Sequence, residues 1–175
     1  MTTTNEAHLI RSNRKFAKCF DDGDLSHLPA KKYAIVTCMD CRIDAYSAFG
    51  ITPGDAHVIR NAGGSARDAL RSLVISQQLL QTTEVFIIKH THCGMQGLTN
   101  DGVNATVVKN LGPEAVAELD AVNCKRFDWL PFAELKQGVR DDVAFLRSSR
   151  AIAGEVHVSG WVFDVETGKV SRVEK

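Results

Sequence analysis

Residues 84–93, Glu84-Val-Phe-Ile-Ile-Lys-His-Thr-His-Cys93, join a buried strand directly to a set of metal-binding side chains. The run Glu84–Lys89 is rich in β-branched and aromatic residues and shows no polar alternation, which is typical of a strand covered on both faces. An earlier run, Tyr33–Thr37, has the same character and leads straight into Cys38-Met-Asp-Cys-Arg42. Both strands are therefore predicted to end in residues that can carry chemistry.

The rest of the chain alternates between strand and helix patterns. Three further strands are predicted, at Ala56–Arg60, Glu155–Asp164 and Val170–Val173. Helical spacing marks the stretch that starts at Ser65 and the stretch Val139–Arg150, whereas Val103–Arg126 is ambiguous. Strands separated by helices predict an α/β fold with a mostly parallel sheet flanked by helices, and such sheets bind ligands beyond the carboxyl ends of their strands.

The length of 175 residues suits one main domain, which we place at 31–175. Residues 1–30 are predicted to form an N-terminal helical arm with an apolar set of its own. That set comprises Leu9, Ile10, Phe16 and Phe20. The arm has no core of its own to cover, so we expect it to pack elsewhere, for instance on a partner subunit.

Composition excludes several classes of function. The 21 basic residues balance 21 acidic ones, so the formal net charge of zero argues against nucleic acid as the main partner. No apolar run is long enough for a bilayer, and the N-terminus does not resemble a secretory signal, so we expect a cytoplasmic protein without a membrane partner. Five cysteines, an odd number, favour metal binding or catalysis over a disulfide framework.

The thiols and imidazoles at the two strand ends predict a zinc site. His90 and Cys93 have a spacing that lets both bind one ion, and Cys38 and Cys41 are the candidates to complete the set. If both of these thiols bind, the site is a closed Cys₃His structural centre. If only Cys38 binds, one position stays open for water and the site is catalytic.

Strand alternation favours the open site. In an extended segment Cys38, Asp40 and Arg42 point to one side, and Cys41 points to the other. Asp40 and Arg42 are then placed to pair, which keeps the carboxylate ionised beside the metal. A third hypothesis treats Cys38 and Cys41 as a thiol redox pair, but Asp40 between them would oppose thiolate formation, and the His90–Cys93 pair would be unexplained.

At these residues the sequence resembles the β-class carbonic anhydrases. The family signature of C-x-D-x-R followed by H-x-x-C is present at 38–42 and 90–93. Three further segments are similar, so that the resemblance covers most of residues 30–175. They are Gly54-Asp-Ala-His-Val-Ile-Arg-Asn-Ala-Gly-Gly64, Cys93-Gly-Met95 and Val162-Phe-Asp-Val-Glu-Thr-Gly-Lys169. The chain departs from the pattern at Cys41, where the family usually has serine or alanine.

The resemblance implies one Zn²⁺ per chain, bound by Cys38, His90 and Cys93, with Asp40 and Arg42 as a neighbouring catalytic dyad. Asp40 is also expected to occupy the fourth zinc position in a resting form. The sheet would carry an antiparallel edge strand, and the chain would assemble as a homodimer or homotetramer whose N-terminal arms wrap the partner subunit.

The function implied is that of a zinc-hydroxide enzyme acting on a small linear carbonyl molecule. It would hydrate CO2 to bicarbonate, hydrolyse carbonyl sulfide (COS) to CO2 and hydrogen sulfide, or do both. The alternative is a non-catalytic interaction module built on a structural Cys₃His zinc. His92 is a candidate proton shuttle near the site, and Cys19 and Cys124 are expected to be buried thiols without a catalytic role.

Overall fold

The sheet confirms the predicted fold class. The structure, a computed structural model, describes residues 2–122 and 126–175. Within these ranges five strands form one sheet in the order β2-β1-β3-β4-β5. Every neighbouring pair is parallel except β4 and β5, which are antiparallel at the edge. The strands are β1 (Tyr33–Cys38), β2 (His57–Asn61), β3 (Glu84–His90), β4 (His157–Phe163) and β5 (Val170–Glu174).

Six α-helices are present in the described ranges, together with 3₁₀ turns at Asp22–Asp24 and Ala62–Gly64. The helices are α1 (Thr4–Phe16), α2 (Ala45–Phe49), α3 (Ala66–Gln78), α4 (Asn100–Leu111), α5 (Pro113–Val122) and α6 (Leu135–Ser148). The ambiguous stretch proves to be two helices, because Gly112, at φ 93°, ends α4 and Pro113 starts α5. Ser65 caps α3 as its spacing predicts. The short helix α2 was not predicted.

The two faces of the sheet pack differently. On one face α3 and α6 cover the strands, and Leu73, Val143 and Leu146 are fully buried against Val36 and Ile87. Burial of such side chains stabilises the fold by roughly 1.5–3 kcal/mol each, which makes this layer the main core.

The opposite face is only partly covered. Ile35 and Ile88 are buried there beside Phe163, whereas Phe86 and Trp161 are only partly covered. This face therefore keeps apolar surface that the described chain does not cover.

The N-terminal segment contains the expected helix. Thr3 and Glu6 form a reciprocal capping box that starts α1, and Arg14 and Lys15 lie in its last turn. None of the residues of α1, all of which the structure describes, is buried. The division into a 1–30 arm and a 31–175 domain stays a prediction.

Two further expectations concern thiols and membranes. Cys19 is exposed, so the prediction of a buried thiol was wrong there, because the residue lies in the exposed stretch 17–21 that follows α1. Cys124 lies outside the described residues. In the part of the chain that is described, no helix has both the length and the apolarity that crossing a bilayer requires.

Candidate metal centre

Three predicted ligands converge at the carboxyl edge of the sheet. Cys38 is the last residue of β1, His90 is the last residue of β3, and Cys93 follows in the next loop. Because β1 and β3 are parallel neighbours, their carboxyl ends meet at the same edge. The candidate ligand atoms of the three side chains all lie within 4.8 Å of one another, and all three residues are buried. The two sulfur atoms are 4.0 Å apart.

The environment of His90 fits a metal ligand. Its Nδ1 lies 2.9 Å from the carbonyl oxygen of Thr91, which can only accept, so Nδ1 carries the proton. Its Nε2 is therefore a bare acceptor, and this atom is buried with no hydrogen-bond partner among the described residues. A buried polar atom without a partner is costly, and a metal ion would remove that cost.

The two thiols also fit a metal. The two thiols lie in hydrogen-bond contact and share one proton, which holds the pKa of Cys38 well below its usual range. Backbone N–H groups of Asp40 and Gly63 also donate to the Cys38 sulfur. Two thiolates and one imidazole are donors that zinc prefers, and three protein ligands leave a fourth position for water in catalytic zinc sites.

Asp40 and Arg42 form the predicted pair beside the cluster. Arg42 donates from Nε to Asp40 Oδ1 at 2.9 Å and from Nη2 to Oδ2 at 2.7 Å. This fork holds the pKa of the Asp40 carboxyl far below its usual range, so the group is an ionised acceptor. Asp40 Oδ2 also lies 3.8 Å from His90 Nε2, which places the carboxylate at the edge of the cluster.

Cys41 lies outside the cluster, although the reason given for this from strand alternation was wrong. The chain does not stay extended after Cys38, because the N–H of Ile43 donates to the Asp40 carbonyl at 3.1 Å and closes a turn. Cys41 is exposed on that turn, and the group of possible ligands found in the described residues does not include it.

Arg60 helps to hold the candidate site in place, a role that was not predicted from the sequence. It lies on β2, paired with Thr37 of β1, and its guanidinium donates to the carbonyls of Cys38 at 3.0 Å and Asp40 at 2.7 Å. It thereby fixes the turn that carries both a candidate ligand and the Asp40–Arg42 pair. Only the strand register would have revealed this role, because a cross-strand neighbour cannot be read from local spacing.

The candidate proton shuttle lies at the surface. His92 is exposed, its backbone is in the left-handed region at φ 56°, and its Nε2 is 3.6 Å from Glu166 Oε1. Its carbonyl accepts from Arg42 Nη2 at 3.0 Å. His92 is thus tied to the dyad through its backbone, while its imidazole faces solvent.

A cavity of about 560 Å³ opens beside the cluster. Apolar or sulfur-containing side chains form much of its wall, with the Asp40–Arg42 pair on one side. The lining residues are Cys38, Met39, Asp40, Cys41, Arg42, Ala62, Gly63, Cys93, Gly94 and Met95. Such a cavity suits a small uncharged molecule next to the metal position.

The chain is similar to known proteins over most of its length. The family model described as carbonic anhydrase matches residues 33–170. Beta-carbonic anhydrase 1 of Mycobacterium tuberculosis is 36% identical over 176 residues, with 99% of each chain covered. The solved structure of carbonic anhydrase from Glaciozyma antarctica is 43% identical, with a TM-score of 0.85 and 94% of each chain covered.

A second kind of relative carries a different activity in its name. A carbon disulfide hydrolase of Acidithiobacillus thiooxidans is 35% identical over 152 residues, which is 77% of this chain and 73% of that protein. The similarity therefore spans proteins that are named for different small substrates.

Proposed function

The chain belongs to the β-class carbonic anhydrase family, and from this we propose that it is a zinc enzyme that hydrates CO2 to bicarbonate, with Cys38, His90 and Cys93 as the metal ligands. The observation that carries the proposal is the bare, buried Nε2 of His90, which lies among two thiols and beside the ionised Asp40. Zinc bound there would supply a Lewis acid and a water acidified from a pKa of 15.7 toward about 7.

The residues around the cluster prepare the reaction. Asp40 is kept ionised by Arg42, so it can only accept a hydrogen bond, and it orients the attacking water so that a lone pair faces the substrate. Met39 and Met95 offer an apolar wall to a linear molecule without charge. Arg60 holds the turn in place, so the site needs little rearrangement before reaction.

Hydrolysis of COS or carbon disulfide is the second candidate. The relatives named carbon disulfide hydrolase favour it, and so does the sulfur content of the cavity wall, where Cys41 joins the two methionines. Water addition to COS gives a thiocarbonate, which breaks down to CO2 and hydrogen sulfide. The same cluster and dyad would serve this reaction, so the site geometry supports both substrates.

One preparation tests both candidates. Zinc-loaded protein is assayed for CO2 hydration by stopped flow and for sulfide release from COS and carbon disulfide, with Asp40→Asn as the control. We expect fast CO2 hydration that the variant loses. Sulfide release without CO2 hydration would replace the first candidate by the second. If zinc binds and no substrate turns over, the structural Cys₃His module is the correct function.

We further propose a homodimer or homotetramer in which α1 of one subunit covers its partner's sheet. Support comes from the lack of any buried residue in α1, which the structure describes in full, and from an apolar groove of about 440 Å³ on the less covered sheet face. Tyr33, Ile35, Phe86 and Trp161 are among the residues that line it. A cytoplasmic location stays a prediction from the sequence.

A further inference from the structure

A buried ion pair lies directly behind the metal cluster. Lys89, the residue before His90, has its Nζ 2.9 Å from Asp142 Oδ2, and the two side chains are only 4% and 11% exposed. Buried ion pairs seldom stabilise a fold more than apolar side chains of the same size would. We therefore expect the pair to have a role other than stabilising the fold.

Further contacts of the pair reach the turn at Ala62–Gly64 and the start of α3. Lys89 Nζ donates to the carbonyl of Gly63 at 2.9 Å and lies 3.4 Å from that of Gly64. Asp142, on α6, accepts from the N–H of Ala66, the first residue of α3, at 3.2 Å. The pair thus ties β3, α3 and α6 to one short turn.

That turn presses against the end of β1. Gly64 has φ 58°, and a Cβ added to it would lie 3.0 Å from the carbonyl carbon of Thr37 and 3.1 Å from the nitrogen of Cys38. Gly63, at φ 74°, forms part of the cavity wall, and its N–H donates to the Cys38 sulfur. The carbonyl of Gly63 therefore accepts a hydrogen bond from Lys89, and the amide of Gly63 contacts the candidate ligand Cys38.

We infer that the Lys89–Asp142 pair is a positioning device for the metal site, which holds the Gly63 N–H on the Cys38 sulfur and so moderates the charge that this thiolate donates to the metal. The inference rests on the proposed function, since it assumes that Cys38 binds the ion. Hydrogen bonds to a ligating sulfur withdraw charge from it, and groups that orient metal ligands change metal affinity by about 10–100-fold.

The hydrogen bond itself is tested in the unmutated protein. Loaded with ¹¹³Cd, which replaces zinc at thiolate sites, the protein should show a scalar coupling between the metal and the Gly63 amide proton, passing through the N–H···S bond. Cadmium bound by two thiolates without this coupling would overturn the inference. If no metal binds at all, the proposed function fails as well, so the two failures are distinguishable.

Variants test the role of the pair. In Lys89→Met and in the double variant Lys89→Met/Asp142→Leu, the Gly63 coupling should weaken or vanish. The thiolate-to-cobalt absorption of Co²⁺-loaded protein should move to longer wavelength, and zinc should bind about 10-fold or more weakly. The double variant avoids leaving an unpaired buried carboxylate, so it is the variant more apt to fold. Lys89→Arg keeps the positive charge of the pair and should leave all three readouts close to those of the wild type.

The matched control is Lys31→Met, which breaks the Lys31–Asp55 pair, also 2.9 Å long, at the amino-terminal side of β1. It should leave the spectrum and the zinc affinity unchanged. A folded double variant with the coupling, the cobalt band and the zinc affinity of the wild type would show that the pair is structural only. If neither Met variant folds, Asp142→Asn takes their place, because it removes the charge that holds Lys89. A weakened Gly63 coupling in this variant supports the inference, and an unaltered coupling contradicts it.

Discussion

Two regions of the chain differ most in the burial of their side chains: the carboxyl edge of β1 and β3, and the helix α1. At the sheet edge three polar or thiol side chains are almost fully buried, between 0% and 6% exposed, and backbone and arginine contacts hold them in place. In α1, Leu9 and Phe16 are 71% and 62% exposed, and no residue of the helix is buried. An imidazole and two thiols are buried together at the sheet edge, whereas large apolar side chains of α1 are exposed to water.

The difference is between side chains that are already held in place within one chain, at the sheet edge, and apolar side chains in α1 that a partner would have to cover. The three candidate ligands and the Asp40–Arg42 pair come from strands and turns of a single subunit, so we expect their geometry not to depend on assembly. The arm carries apolar side chains that contribute stability only once something covers them. We therefore expect changes at the sheet edge to alter metal binding and turnover, and changes in the arm to alter association.

The largest effect should come from the ligands. Cys38→Ser or Cys93→Ser removes one of three donors and should reduce zinc affinity by at least about 100-fold, because a serine hydroxyl is a poor ligand for zinc. Zinc content after dialysis against a weak chelator, measured by atomic emission, checks this. Cys41→Ser is the control on the same turn and should keep one zinc per chain. Loss of zinc in that control would favour the closed Cys₃His site.

The next effect should come from the dyad. Asp40→Asn keeps the shape of the side chain but offers Arg42 and the attacking water an amide. The water is then oriented less well, so kcat/KM for CO2 should fall by about 10²-fold. Zinc content should stay at one per chain. Full activity in this variant would remove Asp40 from the mechanism.

Residue patterns predicted most of the carboxyl edge of the sheet, but they did not predict the contacts that hold its residues in place. Uninterrupted apolar runs predicted β1 and β3, and their parallel pairing predicted that Cys38 would meet His90. The turn after Cys38 was not predicted, since its conformation depends on the Asp40 carbonyl and on Arg60 from another strand. Contacts between distant segments, like that of Lys89 with Asp142, leave no local pattern to read.

A smaller effect should come from the arm. Replacing both Leu9 and Phe16 by serine should weaken the proposed assembly by about 2 kcal/mol or more, roughly 30-fold in the dissociation constant, because two large apolar contacts are lost. Sedimentation velocity across a concentration series measures this, and Arg11→Ser on the same helix is the control. If the double serine variant keeps the assembled mass of the wild type, the proposed role of the arm is contradicted. If the variant loses zinc, the metal site depends on the arm, contrary to our expectation.

The smallest effect should come from His57, which lies on β2 away from both regions. Burial lowers its pKa from the ordinary 6.5, and its Nδ1 is 2.7 Å from Ser76 Oγ. Below about pH 6.5 the unfolded chain binds this proton more readily than the fold does, so stability is lost as the pH falls. Urea unfolding at pH 7.5 and 5.0 should show a smaller loss in His57→Asn. An equal loss of stability in the variant and the wild type would show that His57 does not cause this pH dependence.

The zinc coordination sphere tests the central claim most directly. Extended X-ray absorption fine structure at the zinc edge, recorded on the wild type and on Cys41→Ser, counts sulfur against lighter ligands. We predict two sulfurs and two nitrogen or oxygen ligands in both proteins, which is the open site with water or Asp40 in the fourth position. Three sulfurs and one nitrogen in the wild type, reduced to two sulfurs in Cys41→Ser, would contradict the account and make the zinc structural.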